Sequence, residues 1–209
     1  MIICPNNYDW ILAGDVYMAA LIENVQHPEN VRVEVVDFEG GLITPVDNIN
    51  GESIISIIGH GSPGSYEFIN ARAFVNILLE LGLNGNYSGT IEYYTCDSAI
   101  FDVVNPNHSL AHLTKNEFPL AKVVGAKGPS IIGYDKCRYI VNPVFSNNAG
   151  IIQGNLTQGH NFNQIMVHND IFDNGMAVRN HPDVRAFYDN FIRQLKEKNY
   201  LVNGLAYLV

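Results

Sequence analysis

Two residues able to make and break acyl bonds stand at the ends of two apolar runs. His60 follows Ser53-Ile54-Ile55-Ser56-Ile57-Ile58-Gly59, and Cys96 follows Thr90-Ile91-Glu92-Tyr93-Tyr94-Thr95. A free cysteine has a pKa of about 8.5, so only a few per cent is thiolate near neutral pH, and a neighbouring imidazole raises that fraction. Gly61 follows the histidine, and its backbone N–H, clear of any side chain, can join the N–H of Cys96 as an oxyanion donor. One such donor is worth about 3 to 4 kcal/mol in acyl-transfer sites. The chemistry this set supports is acyl transfer, with His60 as general base and Cys96 as nucleophile. The other cysteines, Cys4 and Cys137, read as small buried hydrophobes.

The elements around these residues must bring them together. Between the two runs, Asn70 to Leu83 places Ala73, Phe74, Ile77, Leu78 and Leu81 at the three-and-four spacing of an amphipathic helix. Strand, helix and strand form a right-handed parallel crossover, so both strands end on one edge of the sheet. Open α/β sheets bind ligands outside that carboxyl edge.

The rest of the chain extends the same pattern. Met1 to Cys4 reads as a first strand closed by Pro5-Asn6-Asn7, and Asp9 caps an expected helix over Trp10 to Asn24. Val31 to Phe38 alternates like a strand with one solvated face, its Val31, Val33 and Val35 opposed to Arg32 and Glu34. Ser109 caps a short helix that runs to Phe118 and stops at Pro119, and Lys122 to Ala126 is the next strand. Ile131 to Tyr134 and Tyr139 to Val141 read as a hairpin or a bulged strand. Residues 145–180, rich in Asn and Gly, are expected to be loops packed on the sheet. A last helix starts at His181-Pro182-Asp183 and runs to about Lys198, and Ala206 to Val209 forms a final strand. The expectation is a single α/β domain over residues 1–209, a three-layer sandwich with a mainly parallel central sheet.

Composition narrows the partners. Twenty-one acids against twelve bases give a net charge of −9 with no cluster of Lys or Arg, which argues against nucleic acid and anionic membrane surfaces. No stretch approaches the roughly 20 apolar residues of a membrane span, and Met1-Ile2-Ile3-Cys4-Pro5 lacks the basic leader of a signal peptide. Three cysteines without CxxC spacing indicate neither a disulfide framework nor structural zinc, and fit the cytoplasm or another reducing compartment. The sequons at Asn86, Asn107 and Asn155 carry weight only in a secretory pathway.

An apolar run ending in His60-Gly61, then a second ending in Cys96, resembles the caspase-like cysteine peptidases: caspases, legumains, gingipains, clostripain and the self-processing domains of large bacterial toxins. The two residues lie 36 positions apart, against roughly 50 in caspases. The short helix, Lys122-Val123-Val124-Gly125-Ala126-Lys127-Gly128 and the β-rich stretch after it look most like the toxin domains, and the resemblance covers about residues 1–142. Caspases carry Gln-Ala-Cys, whereas this chain has Tyr94-Thr95-Cys96-Asp97-Ser98, closer to legumains in the acid after the nucleophile. That acid raises a thiol pKa by like-charge repulsion. The resemblance implies a caspase-like fold and a cysteine endopeptidase acting on a protein or peptide, including a site in its own parent polypeptide, with delivery to a host cytosol inside a secreted protein as one setting. It also implies substrate contacts from Tyr94 and Thr95 and from the end of the first strand, where Asn6, Asn7 and Asp9 stand; an acid there favours Lys or Arg before the scissile bond. The toxin domains are activated by inositol phosphate in a basic pocket, and this acidic chain is expected not to respond.

Rival readings use the same residues. A caspase-like domain with an idle dyad would bind a partner and do no chemistry. Gly59-His60-Gly61-Ser62-Pro63-Gly64 also fits G-x-G-x-x-G, the dinucleotide fingerprint, although Pro63 removes an N–H the phosphate would use and Glu80 falls inside the helix. His108 and His112, and His160 and His168, have no third ligand at zinc spacing, and Asp170 and Asp173 do not form a calcium loop. No metal or other cofactor is expected.

Overall fold

The computed structural model describes residues 1–5, 32–36, 43–101, 109–135, 137–158 and 182–209. The helix expected over Trp10 to Asn24, with Asn6, Asn7 and Asp9, falls outside them.

The main sheet has six strands: β1 (Ile2–Pro5), β2 (Val33–Val36), β3 (Ile54–Ile58), β7 (Thr90–Tyr94), β8 (Lys122–Ala126) and β12 (Leu205–Leu208), in the spatial order β12-β8-β7-β3-β1-β2. Every pairing is parallel except that of β12 with β8. The fold is therefore α/β, a mixed sheet of mostly parallel strands flanked by helices. Central strands covered on both faces need apolar side chains at successive positions. Ile55, Ile57 and Ile58 of β3, with Val123, Val124 and Ala126 of β8, are accordingly buried. On the edge strand β2 the expected phase is reversed, since Val36 is buried and Val35 exposed.

The crossover from β3 to β7 runs through α1 (Ala71–Glu80). Asn70 caps it by accepting the Ala73 N–H at 2.9 Å, while Phe74, Val75 and Leu78 face the core. It ends at Gly82, where the N–H groups of Gly82 and Leu83 return to the carbonyls of Leu79 and Leu78 at 2.9 and 3.1 Å. The helix α2 (Leu110–Glu117) packs beside α1 and over β8. Ser109 stands at its N-cap, but its hydroxyl donates to the Ser98 carbonyl at 3.1 Å and makes no cap bond.

Three short strands occupy Gly61 to Asn70: β4 (Gly61–Ser62), β5 (Ser65–Tyr66) and β6 (Ile69–Asn70), an antiparallel sheet unforeseen from the sequence. The expected hairpin is present as β9 (Ser130–Ile132) and β10 (Arg138–Val141), joined by β11 (Leu201–Val202) in a third sheet.

The loop expected over residues 145–180 is corrected in its first part, where Ser146–Gln158 form a helix, α3. Its buried face is narrow, with Ala149 and Ile152 the buried residues, and Gly150 and Gly154 interrupt the apolar pattern by which a helix is read. Residues 159–181 lie outside the described set. The last helix, α4 (Pro182–Glu197), packs on α3 and buries Phe187, Phe191, Ile192 and Leu195. Among the described residues no helix is long and apolar enough to cross a membrane.

Candidate active site

β3 and β7 pair in parallel register, with Ile58 opposite Tyr94. Each chain needs two more residues to reach its candidate, so His60 and Cys96 emerge on the same edge. Both line one cavity of about 320 Å³. Gly61 lies against the Cys96 backbone so closely that a Cβ placed on it would overlap the Cys96 carbonyl oxygen. The glycine therefore serves a close approach of two chain segments, a role glycine fills because it lacks a Cβ.

The backbone of His60 is held from both sides by one residue. Its N–H donates to the Glu67 carboxylate, and its carbonyl accepts the Glu67 N–H at 3.0 Å. Glu67 and Phe68 form the two-residue turn between β5 and β6 with φ of 44° and 67°, values that hairpin turns ordinarily assign to Asn and Gly. Beneath the turn, buried Tyr66 donates to the Ile58 carbonyl at 2.9 Å and rests its ring 4.1 Å from that of Phe74. Burial pushes the Tyr66 hydroxyl well above its ordinary pKa, with the Glu67 charge adding to the rise. Tyr66 thus remains a neutral donor that anchors the approach to His60.

The Cys96 sulfur accepts the backbone N–H of Ser130 at 3.3 Å and lies 3.9 Å from the Ser130 carbonyl. A donor at that position favours the thiolate. Beyond the cysteine the chain turns through Asp97, at φ 56°, whose N–H donates to the Gly128 carbonyl at 3.0 Å. Burial raises the Asp97 carboxyl above its ordinary pKa. Ser98 is fully buried: its hydroxyl accepts the Ala126 N–H at 2.9 Å and donates to the Thr95 carbonyl at 3.4 Å. It fastens the turn after Cys96 to the end of β8.

Of the expected substrate-contacting residues, Tyr94 lines the cavity and Thr95 does not. Thr95 is 1% exposed, packed beneath Gly61, and its hydroxyl has no hydrogen-bond partner among the described residues. Asn7 and Asp9 lie outside the described residues. Cys4 is buried as expected, and burial raises its thiol pKa to about 12, but Cys137 is exposed, which corrects its reading as a buried hydrophobe. The turn of β10 carries it outward, with its N–H donating to Asp135 at 3.1 Å.

The glycine run does not open a helix. Gly61 enters β4, and α1 starts only at Ala71, so the helix N-terminus a dinucleotide pyrophosphate needs is missing from Gly59 to Gly64. His112, half-buried and bonded through Nδ1 to the Ser109 hydroxyl at 3.0 Å, packs its ring at a tilt against Phe101, while His108, His160 and His168 lie outside the described residues. Burial, assisted by Lys127, lowers the His112 pKa. Among the described residues no three His, Cys, Asp or Glu side chains are grouped to hold a metal.

Sequence reasoning missed Ser130, Glu67 and Arg138. Arg138 of β10 donates through Nε to the Ser130 hydroxyl at 2.9 Å and through Nη2 to the Tyr93 carbonyl, with its guanidinium 4.8 Å from the centre of the Tyr94 ring. A basic residue in a short polar stretch between two apolar segments, with Lys136 two positions before it, carries no local signal of such a role. Compared with family models and with curated proteins, the sequence finds no match in either.

Proposed function

We propose that this protein is a cysteine endopeptidase of caspase-like architecture, with His60 and Cys96 as its dyad. The observation that carries the reading is their convergence, from two adjacent parallel strands, on one cavity at the carboxyl edge of the sheet. In this mechanism His60 takes the Cys96 proton, and the thiolate attacks the carbonyl carbon of the scissile bond. The N–H groups of Gly61 and Cys96 receive the negative charge that develops on the carbonyl oxygen. The imidazolium returns its proton to the leaving amine, and water then releases the acyl group from sulfur, restoring the thiol.

The cavity wall bears on the substrate. Ile131, Ile132, Val141, Phe187 and Phe191 make it mainly apolar, and no acidic side chain lines it among the described residues. A bulky apolar side chain next to the scissile bond fits this wall better than the Lys or Arg expected from Asp9. The substrate is a protein segment, the parent polypeptide included, and inositol hexakisphosphate is expected to leave the cleavage rate essentially unchanged.

Labelling by a panel of peptidyl acyloxymethyl ketones, read by intact mass for wild type, Cys96→Ala, His60→Ala and Cys137→Ala, tests the reading. One adduct, lost with Cys96, weakened without His60 and indifferent to Cys137, is the expected result, with apolar peptides reacting fastest. No adduct from any peptide would instead favour an idle domain that binds a partner.

A further inference from the structure

We propose that Arg138 is a positioning residue for Cys96: by clamping Ser130 to the end of β7 it fixes the Ser130 N–H against the sulfur. The inference rests on reading Cys96 as a nucleophile, and it goes beyond the dyad because Arg138 does not line the cavity.

The guanidinium joins three segments that the chain otherwise leaves separate. Nε grips the Ser130 side chain at 2.9 Å, Nη2 grips the Tyr93 carbonyl near the end of β7, and the guanidinium carbon lies over the Tyr94 ring. Ser130 opens β9, and its own N–H is the group that reaches Cys96 at 3.3 Å. Two residues, Tyr94 and Thr95, separate Tyr93 from Cys96 along the chain. One rigid fork therefore sets the distance between the strand that ends in the nucleophile and the strand that supplies its donor. The planar fork of Arg suits this bridging, whereas a Lys ammonium, a point charge on a flexible stem, cannot reproduce both bonds and the contact with the ring.

The electrostatics agree with the geometry. Burial lowers the Arg138 pKa from its ordinary value, and Tyr94, Glu92, Cys96 and Tyr207 oppose that fall. Attraction between the guanidinium and the thiolate is mutual, so the arginine favours ionised Cys96. Among the described residues, the other titratable groups at the site are His60, Tyr94 and Tyr188 of the cavity wall, Glu67 on the His60 backbone N–H, and Asp97 on the cysteine's own segment. The carboxylates of Asp97 and Glu67 oppose the thiolate when ionised, while a protonated imidazole would support it.

The test is the pH dependence of iodoacetamide alkylation of Cys96, located by peptide mass in a Cys137→Ser background, with folding followed by circular dichroism. Wild type is expected to titrate below the ordinary value of about 8.5. Arg138→Gln should raise the midpoint by about one unit, equivalent to roughly tenfold slower alkylation near neutral pH, and Arg138→Lys should behave like Gln. Ser130→Ala leaves the backbone donor in place but removes the grip, so it should shift the midpoint in the same direction, and the double variant should add little. Because Ser130→Ala is a mild change, it decides the matter even if Arg138→Gln fails to fold. An unchanged midpoint in folded Ser130→Ala, or a wild-type midpoint in Arg138→Lys, would overturn the positioning role. Iodoacetamide needs no peptide recognition, so a lowered midpoint that rises in these variants stands even if no peptidyl ketone reacts, and that second failure would count against the peptidase alone.

Discussion

The backbone N–H of Ser130 lies 3.3 Å from the sulfur of Cys96, although the two stand 34 positions apart in the chain. That contact makes the surroundings of Cys96 a product of three strands: β7 delivers the thiol, β9 delivers a donor, and Arg138 of β10 ties them together. Consequences follow at the positions that hold this arrangement.

Gly61→Ala is expected to displace the Cys96 backbone, because the new methyl would overlap its carbonyl oxygen and a backbone atom cannot swing aside. Overpacking of this kind costs about 1 to 3 kcal/mol. Thermal melting should show the loss, and peptidyl ketone labelling should slow by an order of magnitude or more, since a shift of about 1 Å can cost roughly 100-fold. Wild-type values in both would show that the two segments stand further apart.

Asp97→Asn should make the protein more stable at neutral pH. Burial raises the folded-state pKa of Asp97, so the native state holds this proton more tightly than the unfolded chain does. Stability from this group is therefore present below the ordinary carboxylate pKa of about 3.9 and is lost as pH rises through the folded value. Asn tolerates the left-handed backbone at this position and removes the charge. Unfolding free energies from urea titrations between about pH 4 and 7 should fall in wild type relative to Asp97→Asn, by less than about 1 kcal/mol after solvent screening. Parallel curves for the two proteins would contradict this account.

Phe68→Gly should also stabilise. The residue sits at φ 67° with 85% of its surface exposed, so little packing is lost on truncation. Relief of the left-handed penalty, about 1 to 2 kcal/mol, exceeds the added unfolded-state entropy of about 0.5 to 1 kcal/mol. A rise in Tm of about 2 °C is expected. A fall would mean that the phenyl ring makes a contact needed for folding.

Thr95→Val replaces a buried hydroxyl, unpartnered among the described residues, with a methyl of similar shape. Stability should hold or rise by about 1 kcal/mol, as expected when a desolvated polar group is removed. Labelling of Cys96 should change by less than about threefold, since the side chain lies off the cavity. A tenfold loss would restore Thr95 to the substrate-contacting set.

What the sequence determined by itself was local or followed from one chirality rule. The apolar runs into His60 and Cys96, and the periodicity of Phe74, Ile77 and Leu78 between them, define strand, helix and strand, and the right-handed crossover places both candidates on one edge. The tertiary structure alone decided the surroundings of the sulfur and the burial of single residues. Thr95 faces inward because the small sheet of β4, β5 and β6 lays Gly61 over it, and Ser146 to Gln158 is a helix despite a weakly patterned sequence because α4 packs on it. Arg138 reaches Tyr93 across 45 residues of chain. Propensity and periodicity act within a few residues, whereas burial and hydrogen-bond partners depend on whichever distant segment completes the neighbourhood.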